Sequence, residues 1–239
     1  MHDGENHMKI QILELIEGAK RAEGLTVIID VFRAFTTECY CFAGGAVKSY
    51  PIGSMEDAFA LKRMHPDWVL LGERGGAKVE GCDLGNSPWD AMHYDFQGKT
   101  MIHSTSAGTQ GIVNAAKANA TQIVTGSLVN AGAVCDYIRA QAPETVSLVA
   151  MGKAGVTSVP EDLLAARYMR ALLEGDASFD IEGGIAYLKD HGGEQFFDPA
   201  LAHIFPREDY PLCVDVNRFP FVLGVKNEED MLVIRRIDI

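Results

Sequence analysis

Short runs of β-branched apolar residues alternate with longer, alanine-rich amphipathic stretches along most of this chain, and that rhythm leaves few folds open. Strands are expected at residues 9–15, 26–31, 46–51, 68–72, 99–103, 122–125 and 146–151. The run TVIIDV at 26–31 is continuously apolar up to its aspartate, as in a strand covered on both faces. Helices are expected at 34–43, 54–65, 108–119, 131–140 and 160–174, with a short one from Pro88 to Tyr94. Ser54 with Asp57 approximates a capping box, Ser87 with Pro88 supplies an N-cap and first turn, and Ser158 with Glu161 forms a capping box for the last helix. The order predicts a three-layer α/β/α fold with a largely parallel or mixed central sheet.

The stretch 176–239 breaks the rhythm with glycine pairs, prolines and closely spaced apolar runs at 221–225 and 231–234. It is expected to be a helical stretch followed by a small antiparallel addition to the same sheet. No low-complexity linker sets it apart, so 1–239 is expected to be one domain, with an α/β core at 8–175 and an extension at 176–239. A weak internal echo links Thr36–Thr37 with Ser104–Thr105, each pair preceding a helix and then a strand.

With 47% hydrophobic and 23% charged residues there is ample material for a core. Disorder is expected only at Met1 to His7. No run approaches the roughly 20 apolar residues that span a bilayer. His2, Asp3, Glu5 and Asn6 do not suit a signal peptide, so no membrane association and a cytoplasmic location are expected. The five cysteines have neither disulfide nor zinc spacing and are expected to be reduced. A formal net charge of −12 with no basic run excludes nucleic acid as a partner. It also means that any anion site must bring its own cations, backbone N–H groups or metal.

In open α/β sheets ligands bind where loops leave the carboxyl ends of strands, and four such segments are rich in polar residues. Asp30-Val-Phe-Arg-Ala-Phe-Thr-Thr offers a carboxylate, Arg33 and a helix start at Thr36 and Thr37, a combination suited to a metal-bound phosphate or simply to capping the helix. Residues 71–88 carry Glu73, Arg74, Asp83, Asn86 and Ser87 among five glycines. His103-Ser-Thr-Ser-Ala-Gly-Thr-Gln-Gly places Ser104, Thr105, Gly108 and Thr109 at a helix start, an anion nest without the Walker order. Residues 151–162 add Lys153, Glu161 and Asp162, the acids complementing a helix dipole. If the strands are parallel, all four loops meet at one edge. That would crowd Asp30, Glu73, Asp83 and Asp162 near Arg33, Arg74 and Lys153, and such carboxylates suit Mg²⁺.

These segments, together with Gly72-Glu-Arg, Gly81-Cys-Asp-Leu-Gly-Asn-Ser-Pro and Glu161-Asp162, resemble in order the signature segments of the 2-phosphosulfolactate phosphatase (ComB-like) family. The resemblance runs from about Thr26 to Ala171. It implies a Mg²⁺-dependent phosphatase that removes phosphate from 2-phosphosulfolactate, a small anionic phosphorylated acid, in a step towards coenzyme M. The chain departs from the family pattern at Phe32 and Phe35 and at Ser106 and Ala107, the latter bearing on which acid is accepted. No Cys-x₅-Arg or Arg-His-Gly is present, and Asp30 has no second aspartate two residues on.

Under this resemblance Asp30, with Glu73 or Asp162, holds the metal, and Arg33, Arg74 and the amides from Ser104 to Thr109 stabilise the transferring phosphoryl group. Thr36, Thr37, Asp83, Asn86, Ser87 and Lys153 bind phosphate or the acid. The attacking group is metal-activated water or a carboxylate such as Asp30. A non-catalytic phospho-acid-binding protein, or a phosphosugar isomerase or transferase using His103 or Glu73, is the alternative. A homodimer is the base-rate expectation.

Overall fold

The computed structural model describes residues 8–239, and the disorder expected at Met1 to His7 lies outside them. The chain runs β1 (Lys9–Glu14), α1 (Leu15–Ala19), β2 (Glu23–Ile29), α2 (Ala34–Ala43), β3 (Lys48–Pro51), α3 (Met55–Met64), β4 (Val69–Arg74) and β5 (Ala77–Lys78). It continues through α4 (Pro88–Met92), β6 (Thr100–Ser104), α5 (Gly108–Ala115), β7 (Asn119–Gly126), α6 (Ala131–Gln141), β8 (Thr145–Ala150) and α7 (Pro160–Glu174). Then come α8 (Ile181–Leu188), 3₁₀ turns at Glu194–Phe196 and Pro199–Leu201, α9 (Asp209–Cys213), and the hairpin of β9 (Phe221–Glu228) and β10 (Met231–Asp238).

The ten strands form one mixed sheet, ordered β1-β8-β2-β7-β9-β10-β3-β6-β4-β5. β2 reads as continuously apolar because it pairs in parallel with both β7 and β8, while Ile28 packs into one core and Val27 and Ile29 into the other. One face carries α1, α2, α4 and α5 through residues such as Phe35, Phe42, Ala91 and Ile112. The other carries α6, α7 and α8 through Val134, Ile138, Met169 and Leu188, with α3 covering its far end through Ala58 and Leu61. The three-layer α/β/α expectation is met. All five cysteines are buried and free. Among the described residues no helix is long and apolar enough to cross a membrane.

The antiparallel addition expected at the C-terminus is present, but it sits in the middle of the sheet. β9 pairs antiparallel with β7, and β10 with both β9 and β3, so the hairpin joins a parallel half (β1, β8, β2, β7) to a second parallel half (β3, β6, β4). Followed through the ladder, the two halves run in opposite directions, which corrects the premise of one parallel edge. Between β2 and β6 lie five steps, over which strand twist accumulates to roughly 100–125°. Opposed strand ends are thereby turned towards a common cleft. Two helices cross between the halves: α2 carries the chain from β2 to β3, and α5 returns it from β6 to β7. The echoed Thr36–Thr37 and Ser104–Thr105 pairs stand at the starts of these two crossovers.

Local capping follows the sequence at two helices and departs from it at a third. Ser54 Oγ accepts the Asp57 amide at α3, and Ser87 Oγ accepts the Asp90 amide at α4. The Ser158–Glu161 box expected at α7 does not form. Val159 is the N-cap without a side-chain bond, Pro160 occupies the first turn, and Ser158 donates to Glu14 at 2.5 Å. Relieved of capping, the Glu161 carboxyl turns inward.

Candidate active site

A cavity of about 370 Å³ opens where the loops after β2, β4, β6 and β8 meet, and the segment 192–205 forms its remaining wall. Three carboxyls define one side. Asp30 opens the loop after β2, and its Oδ1 accepts the Ala34 amide at 3.1 Å, so it does help to cap α2. Its Oδ2 lies against Gly108, where a Cβ would come within 3.0 Å of it and of the Phe35 ring. Asp162 clips two loops together, accepting the Val31 amide at 2.7 Å and the Gly152 amide at 2.8 Å. Glu161 lines the cavity with its Oε2 buried and unpartnered. Gly192 lies over that oxygen, at a positive φ that favours glycine and with no room for a side chain.

Burial dominates the electrostatics of this trio. It pushes Asp30 up to about 8, helped by the charge of Asp162. Glu161 is raised to about 8 by burial and the charge of Asp30, and Asp162 to about 8 by burial and the charge of Glu161. Crowded acids out of water hold their protons unless a cation joins them.

The buried cation of the cavity wall is Arg33, which is 2% exposed. Nη1 donates to Asp209 Oδ2 at 2.7 Å, Nη2 to the Gly76 carbonyl at 2.7 Å, and the Phe205 ring lies 4.7 Å from the guanidinium carbon. Only Nε is without a partner, so the open two-nitrogen fork expected from the sequence is already spent on the chain itself. Asp209, wholly buried, also accepts from Ser87 Oγ at 2.7 Å and from the Trp89 amide at 2.9 Å. Burial raises its pKa despite the attraction of Arg33.

Glu73 organises the turn after β6. Its Oε1 accepts the Ser106 amide at 2.6 Å, and its Oε2 accepts the Gly76 amide at 2.7 Å and Ser106 Oγ at 3.3 Å. Thr105 and Thr109 satisfy one another, each hydroxyl accepting the other's amide at 3.1 Å. The nest is therefore partly filled by its own residues, and Ala107 is its contribution to the cavity wall besides Ser106.

Of the residues singled out from the sequence, Asp30, Arg33, Glu73, Asn86, Lys153 and Asp162 line the cavity, Lys153 as an exposed side chain and Asn86 with a buried, unpartnered Oδ1. Gly108 backs Asp30. The others stand outside the lining. Arg74 donates to the carbonyl and hydroxyl of Ser104 from the exposed side. Thr36 bonds to the Val31 carbonyl and Ser127. Thr37 is buried beside it in α2. Asp83 holds the Leu70 amide and Lys62. Ser87, Ser104, Thr105 and Thr109 are spent on the bonds already described. Three features were not foreseen: the inward Glu161, the anchor Asp209, and the wall of Gln195, Leu201 and Phe205.

Among the described residues no three acidic, histidine or cysteine side chains stand close enough to share one ion, so the expected trio of Asp30, Glu73 and Asp162 does not gather around a point. Glu73 is committed to main-chain donors. The remaining donors are hard carboxylate oxygens, one of them the orphaned Oε2 of Glu161, and this fits Mg²⁺. That ion commonly takes one or two protein carboxylates and completes its shell with water and substrate phosphate.

Fold and cavity together define an α/β protein with a small-molecule site built from acids, one arginine and a helix-start turn. The profile of the 2-phosphosulpholactate phosphatase family matches residues 10–193, and the chain belongs to that family. A protein of Carboxydothermus hydrogenoformans named "Probable 2-phosphosulfolactate phosphatase" is 45% identical over 55% of this chain and 54% of its own length. Proteins of the same name from Bacillus subtilis (29% identical, 89% of this chain and 92% of the relative) and Microcystis aeruginosa (33%, 87% and 90%) align over most of both chains.

Proposed function

We propose that this chain is a Mg²⁺-dependent phosphatase hydrolysing the phosphate monoester of a small anionic 2-hydroxy acid, 2-phosphosulfolactate being the substrate that its relatives' names indicate. The observation that carries this is the meeting of three buried carboxyls and Arg33 around one cavity at the starts of two helices. The lining holds Asp30, Glu73, Glu161 and Asp162 against Arg33 and Lys153, and Asp209 already balances Arg33. These buried acids keep their protons unless a cation joins them, and once ionised they would repel a phosphate dianion unless a divalent cation offsets their charge. Asp30 and Glu161, the two with an oxygen not already bonded to the chain, would hold the ion, with Asp162 fixing the loops beside them; when bound, the ion supplies positive charge to the phosphate oxygens.

The chain's own groups do the rest. The positive charge of Arg33, with its unpartnered Nε, and the Ala107 and Gly108 amides at the start of α5 serve the equatorial oxygens. Asn86 and Lys153 meet the carboxylate or sulfonate, and Phe32 and Phe205 keep water from the arginine. Asp30 acts as nucleophile or orients the attacking water, and trapping a covalent phosphoryl adduct distinguishes the two. A cytoplasmic homodimer is the form we propose, on composition and base rates.

The test is phosphate release from a panel of 2-phospho acids with and without Mg²⁺. Release that is lost in chelator and restored by Mg²⁺ supports the assignment. Tight binding without release points to a binding protein, and a product that keeps its phosphate to an isomerase or transferase.

A further inference from the structure

Away from the cavity, four of the ten buried side-chain polar atoms without a hydrogen-bond partner among the described residues belong to two residues, Glu38 and His103. Glu38 is wholly buried on α2, and His103 is equally sealed, one residue before the end of β6. His103 Nδ1 stands 3.4 Å from Glu38 Oε1. A lone carboxylate at such depth is strongly disfavoured, whereas a carboxylate facing a protonated imidazole is offset.

Their places in the chain give the pair a use beyond burial. Glu38 lies five residues after Arg33 on the first crossover, and His103 immediately precedes the Ser104 turn that opens the second. The two turns meet where Asp30 Oδ2 lies against Gly108. His103 is also within electrostatic reach of Asp30.

We propose that Glu38 and His103 share one proton as a buried positioning pair that ties the two crossovers together and sets how Asp30 stands over Gly108. The activity readout rests on the phosphatase assignment, but the stability readout does not.

The experiment is a double-mutant cycle of Glu38→Gln, His103→Gln and the two combined. Each single variant should lose thermal stability, because it strands the other partner, and the double should regain most of it. Turnover should fall at least about tenfold in all three with KM within about threefold, the signature of misplaced reacting groups rather than lost binding. Nitrogen NMR should find His103 Nδ1 protonated in the native protein and its resonance moved in Glu38→Gln.

Additive stability losses, or an unmoved resonance, would dissolve the pair. Turnover returning to the native value in the stabilised double variant would reduce it to a packing device. A native protein that releases no phosphate overturns the phosphatase assignment, while the stability cycle still decides the pairing.

Discussion

The two crossovers have the same topological task and solve it with opposite chemistry. The first, from Asp30 to Thr37, puts charge at the cleft: a carboxyl with one free oxygen and a guanidinium answered by an aspartate 176 residues away. The second, from Ser104 to Thr109, contributes hydroxyls and amides, most of them bonded to one another or to Glu73. Topology decides which segments meet, and the residue types at the meeting decide which supplies reactivity and which supplies shape. Substitutions should therefore act on the first crossover through charge and on the second through space.

The largest effect is expected at Asp30. Asp30→Asn should lower turnover by at least about 10³-fold without unfolding the protein, since the amide oxygen can still accept from Ala34. Activity within tenfold of native would move the reactive role elsewhere. Next comes the arginine pair, where the two ends are not equivalent. Asp209→Ala strands a guanidinium that cannot shed its charge and should cost about 3–5 kcal/mol in denaturant unfolding. Arg33→Ala should cost less, because burial already raises the Asp209 pKa and lets it take up a proton. The same variant should cut turnover at least about tenfold. Equal stability losses at the two ends would contradict this account.

A third expectation concerns pH. Asp30, Glu161 and Asp162 hold protons in the folded state up to about 8, against the ordinary carboxyl range when unfolded. Between those limits the folded protein binds more protons than the unfolded chain, so its stability falls as pH rises through that window and levels off above it. Melting temperatures of metal-free protein across the window should show the decline, and added Mg²⁺ should flatten it. A flat metal-free profile would remove the trio's electrostatic coupling. The smallest effects belong to the second crossover. Gly108→Ala should destabilise by about 1–3 kcal/mol through overpacking, whereas Ser106→Ala should leave turnover within about threefold, because the main-chain amide carries the shorter bond to Glu73. A larger loss at Ser106 would mean that its hydroxyl touches substrate.

Local signals were legible where local chemistry decides. The bounds of α2 and α7 are those read from the sequence, and Ser54 and Ser87 cap as expected. Six of the chosen residues line one cavity because polar residues after buried strands have to surface somewhere near a sheet end. Asp209 gave no signal, since its partner is remote in sequence and its own neighbourhood reads as an ordinary helix start. Glu161 was misread because capping spacing is common, and only three-dimensional crowding shows that Val159 takes the cap position. The central place of β9 and β10 depends on long-range pairing, to which composition is blind.

That central hairpin bears on how the molecule is made. On the ribosome β9 and β10 emerge after every other strand described, yet they alone seam the halves' hydrogen-bond ladders. Until they arrive, β7 and β3 each present an open edge able to pair with a neighbouring nascent chain. Translation must reach the final strand before the cleft can set.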